Sequence, residues 1–225
     1  MHRRTFLRST GAVGALGGLA GCLGSVSLGD SNPNVALGEP DREFDSGDVP
    51  YPAWGEQIPN VTVPTSVKSQ ETRLRDVETP SLITFFYSHC KTVCPILIST
   101  QRNIQAHAQN NGYSDAVSFF PTTFDPARDT AKRLRTYADE MNVDADHENW
   151  HFLRPASKER AKTVVQDQFG VFFQRTEPED MDVYMFTHSA LTLLVNADGF
   201  IERAYRSKSP DEETILSDLN TVRDA

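Results

Sequence analysis

Cysteine is scarce, with three residues in 225, too few for a scaffold built on disulfides. Basic charge is scarce as well. Twenty-two Lys and Arg stand against 31 Asp and Glu, a formal charge of −9, which excludes the broad basic face that nucleic-acid binding requires. Lysine is rarer still: Lys68, Lys91, Lys132, Lys158, Lys162 and Lys208 are the whole set. No apolar run reaches the ~20 residues of a spanning helix. A hydrophobic fraction of 38% and a mean hydropathy of −0.45 exclude a polytopic membrane protein. There is no Gly-x-x-x-x-Gly-Lys phosphate loop and no internal repeat. What is left is length for one domain or at most two, with enough apolar side chains for a real core.

The N-terminus reads as an address. Arg3-Arg4 precedes Phe6-Leu7, then an uncharged Gly/Ala/Leu run from Ser9 to Gly21, then Cys22 after Leu19-Ala20-Gly21. A basic start, a short apolar stretch and small residues before a cleavage point describe a signal peptide. The paired arginines resemble a twin-arginine export signal, and Leu-Ala-Gly-Cys resembles a lipobox whose cysteine is lipidated. The expectation is a signal over 1–21 and a lipid-anchored Cys22 on the extracytoplasmic face of the cell membrane. Removing 1–21 takes away Arg3, Arg4 and Arg8 and no acid, so the charge falls to −12. An Asp-rich, Lys-poor surface suits high salt, where repulsion is screened, so a halophilic archaeal source is expected. Residues 22–57 carry seven acids and one base (Arg42) with little periodicity, and read as an acidic flexible linker. Tyr51, Pro52 and Trp54 are positioned to dock its end.

From Ile58 the pattern is that of one α/β domain, 58–225. Val61–Ser66 and Glu71–Leu74 read as an N-terminal hairpin. Ser81–Tyr87 and Ala116–Phe124 read as strands buried on both faces. Trp150–Leu153, Ala190–Val195 and Phe200–Tyr205 are further strands, the last two joined at Asn196-Ala197-Asp198-Gly199. Helices are expected over 95–109, 130–141 with Asp129 as N-cap, 157–169 capped by Ser157, and 210–222. Strands alternating with helices make a sheet covered on both faces, with an antiparallel edge from the terminal hairpin. Met181–Thr187 reads as an irregular loop leading into the strand that His188 opens.

With Cys22 assigned to lipid, Cys90 and Cys94 remain, four apart in Cys90-Lys91-Thr92-Val93-Cys94-Pro95. They fall where a central strand ends and a helix begins, the usual place for a site in an open α/β sheet. Free N–H groups at a helix start lower a thiol's pKa, and the thiolate is the form that attacks disulfides and binds metal. The pair can be a redox couple, a soft-metal chelate or two inert buried thiols. Among the histidines, His89 adjoins Cys90, His107 follows on the helix, His147 sits among acids and His151 follows Trp150. A histidine at a strand start, such as His188, is by spacing alone more often structural than a ligand.

At three blocks the chain resembles the Sco/SenC family, thioredoxin-fold copper proteins of cytochrome oxidase assembly. They are Phe85–Pro95 with its Cys-x-x-x-Cys-Pro, Phe124–Thr130 with its Asp-Pro-x-x-Asp-Thr, and His188-Ser189-Ala190 leading to Asp198-Gly199. The resemblance implies a thioredoxin-like fold with a central mixed sheet flanked by helices and an N-terminal β-hairpin extension. It implies copper, as Cu(I) or Cu(II), held by Cys90, Cys94 and His188, with Asp125 and Asp129 beside them. Two thiolates and an imidazole suit that ion, Cu(I) above all. It implies a monomeric metallochaperone that hands copper to the binuclear copper centre of a terminal oxidase subunit. The alternative is a thiol–disulfide oxidoreductase in which Cys90 and Cys94 act on the oxidase's copper-ligand cysteines. A peroxidase is disfavoured by the lack of a Thr-x-x-Cys signature. Thr187 stands where the family often has Asp before the histidine.

Overall fold

The computed structural model describes residues 32–68, 70–179 and 183–225. The signal, the lipobox and Cys22 lie outside the described residues. Eight strands and four α-helices follow in order: β1 (Thr62–Pro64), β2 (Glu71–Arg73), β3 (Ser81–Phe86), α1 (Val93–Asn110), β4 (Ser118–Thr123), α2 (Ala131–Met141), α3 (Lys158–Ala161), β5 (Phe173–Thr176), β6 (Met185–His188), β7 (Thr192–Val195), β8 (Ile201–Tyr205) and α4 (Glu212–Arg223). No helix among the described residues is long and apolar enough to cross a membrane.

The central sheet runs β4-β3-β7-β8. β3 and β4 are parallel, while β7 is antiparallel to β3 and β8 to β7. This mixed sheet flanked by helices is the expected thioredoxin-like architecture. β3 is buried at all six positions, as its unbroken apolar pattern requires of a strand covered on both faces. Its one hydroxyl pair is satisfied: Thr84 Oγ1 lies 3.1 Å from Thr192 Oγ1 and donates to the Leu191 carbonyl. α1 packs on β3 and β4 through Cys94, Leu97, Ile98, Ile104 and Ala108, spaced for one helical face.

The expected N-terminal hairpin is β1–β2, paired Thr62↔Arg73 to Pro64↔Glu71. Three expectations change. Thr130, not Asp129, caps α2 by accepting the Arg133 amide, because the Asp129 carboxylate is turned inward. Trp150–Leu153 makes isolated bridges to Phe119, Thr122 and Thr65 rather than a full strand. Met181–Thr187 is not all loop: Met185–His188 is β6, a strand antiparallel to β5, so His188 ends a strand instead of opening one. The helix expected from Ser157 forms as α3, capped by Ser157, and runs on as a π-helix over Lys162–Gln168.

Residues 32–57 also differ from the expected free linker. Leu37, Tyr51 and Ala53 are buried in the core, and Gln57 bridges Phe200. The segment Gly55–Ile58 bonds along the open edge of β8, from Gly55 N to Ile201 O (2.9 Å) and Ile201 N to Glu56 O (2.9 Å). An edge strand left bare is a template for unwanted pairing, and this segment covers it. The docking works despite the acidic composition because the few apolar residues, Leu37, Tyr51, Ala53 and Trp54, are the ones that turn inward.

Candidate metal centre

Two structural units bring the site together. The first is the turn from β3 into α1. It places Cys90 just before the helix and Cys94 in its first turn, both buried and both free thiols. The Cys94 amide, one of the unpaired donors of a helix start, points at Cys90 Sγ at 3.5 Å. Thr92 Oγ1 lies 3.6 Å from the same sulfur. The second unit is the β5–β6 hairpin, whose last residue, His188, brings Nε2 to 3.6 Å from Cys94 Sγ. The ligand atoms of Cys90, Cys94 and His188 all lie within 4.8 Å of one another.

The electrostatics split the two thiols. The hydrogen bond from Cys94 draws Cys90 far below the ordinary thiol range, with His188 and the Cys94 and Thr92 amides adding to it. Burial raises Cys94, and the charge on Cys90 raises it further. Of the two, Cys90 is therefore the readier to ionise and Cys94 the readier to keep its proton. On the imidazole, Nδ1 lies 3.1 Å from the Ser189 carbonyl, and in the tautomer where it donates there Nε2 is available as a ligand on the side of the sulfurs. Thr187, the residue before His188, is exposed. Two sulfurs and one aromatic nitrogen form a donor set of the kind a soft ion takes.

A wall of rings backs the centre. His188 meets Tyr87 edge-on at 6.1 Å and Phe124 at 5.2 Å. The Asp-Pro block underpins it through two buried carboxylates. Asp129 accepts the Ser88 amide at 3.1 Å, the Ser88 hydroxyl at 2.5 Å and the Thr123 hydroxyl, so it braces the cysteine turn. Asp125 accepts from Arg128 Nε at 2.5 Å and from the Tyr184 hydroxyl at 2.8 Å, so it faces the histidine hairpin.

Cys90, Cys94 and His188 lie close together, with Asp125 and Asp129 buried on the loop beside them. His89 stays half-exposed, its Nδ1 beside Ser88 Oγ at 3.2 Å, and joins no ligand group. His107 bonds Tyr113, His147 accepts the Asn149 amide, and His151 stacks on Phe120. Sequence reasoning did not find Tyr184 or Arg128. Arg128 lies inside the Asp-Pro block, which was the available signal; Tyr184 fell in the stretch read as a loop.

The SCO1/SenC family model matches residues 67–223. The SCO2-like protein of Rickettsia conorii is 31% identical over 134 residues, covering 59% of this chain and 61% of that protein. The SCO2-like protein of Rickettsia typhi is 30% identical over 136 residues, covering 59% and 62%. The chain thus matches about three fifths of the length of these relatives. Among solved structures, copper-bound ScoI of Bradyrhizobium japonicum superposes with a TM-score of 0.61 at 20% identity, covering 74% of this chain and 99% of that one. Copper-bound ScoI of Arabidopsis thaliana gives 0.61 at 21% identity, covering 76% and 100%. At those identities the likeness establishes the fold. With the family match spanning most of the chain, this protein belongs to the SCO1/SenC family.

Proposed function

We propose that this protein binds copper through Cys90, Cys94 and His188 and delivers it to the binuclear copper centre of a terminal oxidase. The observation that carries the reading is the convergence of two sulfurs and one ring nitrogen within 4.8 Å. Copper is cargo here, and the chain's task is to offer it soft ligands and release it. Cu(I) accepts two sulfurs alone, whereas Cu(II) prefers more donors with nitrogen among them. The copper-bound relatives and the family match support this reading. With the twin-arginine and lipobox resemblance, we place the protein on the outer face of the cell membrane, tethered at Cys22.

A second reading, a thiol–disulfide oxidoreductase, is favoured by the split between the thiols. The Cys90 thiolate would attack a partner disulfide and form a mixed disulfide. Cys94 would then displace the partner as a thiolate, its own proton passing to that leaving sulfur. The partner leaves as one thiolate and one thiol, the thiolate taking its proton from water, and Cys90–Cys94 is oxidised, so electrons and protons balance.

His188→Ala separates the two. Copper delivery predicts loss of Cu(II) binding and of its thiolate-to-copper absorption, with Cu(I) binding and the Cys90–Cys94 couple nearly unchanged, and loss of oxidase assembly in cells. Full oxidase assembly by the His188→Ala protein would overturn delivery in favour of the reductase.

A further inference from the structure

The β5–β6 hairpin that carries His188 is not part of the central sheet. Its strands pair with each other, Phe173↔His188 through Thr176↔Met185, and form a separate two-stranded sheet. A lone two-stranded ribbon is marginal in water, so its pose depends on the side chains that fasten it. Phe173 and Phe186 supply an apolar contact, at 4.9 Å and 5.4 Å from the Phe124 ring. Apolar packing of this kind holds a ribbon down without fixing its register against a partner to within an ångström.

Tyr184, at the start of the returning strand, has the directional contacts. Its ring lies under the Arg128 guanidinium at 3.5 Å and under that of Arg175 at 4.0 Å. Its hydroxyl donates to buried Asp125 at 2.8 Å, and its carbonyl accepts from Arg128 Nη1 at 2.8 Å. Arg128 is in turn locked to Asp125. Its Nη2 is buried with no oxygen partner, so the ring face beside the guanidinium is part of its solvation. Asp125 belongs to the same short loop as Asp129, which braces the cysteine turn. One loop therefore grips both halves of the site.

We propose that Tyr184 is a positioning residue: gripped by Arg128, Arg175 and Asp125, it sets the reach of His188 to Cys94 and with it the preference for Cu(II) over the metal-free and Cu(I) states. This rests on the copper-binding reading, but its first test needs no metal. In the reduced, metal-free protein, diethyl pyrocarbonate modification of His188, mapped by mass spectrometry, should be slow, because Nε2 faces Cys94. Tyr184→Leu should speed it several-fold, while Tyr184→Phe, which keeps the ring between the guanidiniums, should stay close to wild type. Cu(II) titration should then show a loss of roughly tenfold or more for Tyr184→Leu, with Cu(I) affinity and the Cys90–Cys94 potential unchanged. In a His188→Ala background, Tyr184→Leu should cost nothing further. Unchanged His188 reactivity in Tyr184→Leu, or a Cu(II) loss that persists without His188, would overturn the proposal. A wild-type protein that takes up no copper while Tyr184→Leu still frees His188 would instead sink the copper-binding reading and leave the positioning role standing.

Discussion

His151 lies flat against Phe120, ring centroids 5.0 Å apart, with Nδ1 buried and unpartnered. Burial, then the charge on Lys68, lowers its pKa from 6.5 to about 4. The unfolded chain therefore binds a proton that the folded chain refuses between pH 6.5 and about 4, and stability falls as pH drops through that window. After allowance for the ring's partial contact with water, the loss is about 2 kcal/mol. Urea denaturation at pH 7.5 and pH 4.5 should show it, and His151→Phe should remove that portion of the pH dependence. Identical pH dependence in the variant would acquit His151. The candidate ligands differ from this histidine in how readable they were. Cys90, Cys94 and His188 stand in motifs whose order along the chain identifies them. The roles of Asp125 and Asp129 depend on which way each carboxylate turns, a choice made by Ser88 and Tyr184 from other parts of the chain.

Gly170 closes the π-helix with φ of +64°, a left-handed conformation that glycine adopts freely. A Cβ there would meet the Pro50 carbonyl oxygen at 2.0 Å and the Tyr51 amide nitrogen at 2.7 Å, both rigid backbone. Gly170→Ala should cost about 2 kcal/mol or more in urea denaturation. It should also raise hydrogen exchange around residues 50 and 51; a neutral substitution would mean the two segments do not touch. Elements of this domain were legible where pattern and burial agree. β3 is an apolar run buried throughout, and α1 and α2 show helical spacing with Pro95 and Thr130 at their starts. The β5–β6 hairpin was not legible. Gln174, Arg175 and Thr176 are exposed, so no alternation marks the outgoing strand, and the ribbon is fastened by long-range ring contacts rather than by a ladder. Residues 32–57 hid their docking for a related reason: a few scattered apolar residues do the packing within an acidic stretch.

Across the whole molecule, the residues Ala36 and Leu37 and the candidate metal centre lie toward opposite ends of the sheet. The cysteine turn follows the last residue of β3, and Thr84↔Thr192 brings the start of β7 to that same end. Ser81↔Val195 sets the turn Asn196–Gly199 at the other end. There the fully buried Glu202 accepts the amides of Ala36 and Leu37, each at 2.9 Å, and Asn196 Nδ2 donates to it at 2.8 Å. Glu202→Ala should release residues 32–40, seen as faster hydrogen exchange there, and cost about 2 kcal/mol of stability. Copper titration should not change. A weakened copper affinity would show that the two ends communicate.

Under the proposed tethering at Cys22, that separation bears on how the site is presented. β3 alone spans about 20 Å, and residues 22–31, between the proposed anchor and the docked segment, reach at most about 35 Å when fully drawn out. With Glu202 engaged, the cysteines stand at the pole remote from the tether's point of attachment. Within the proposed tethering, a recipient in the aqueous phase can meet the cysteines with residues 36 and 37 still held by Glu202.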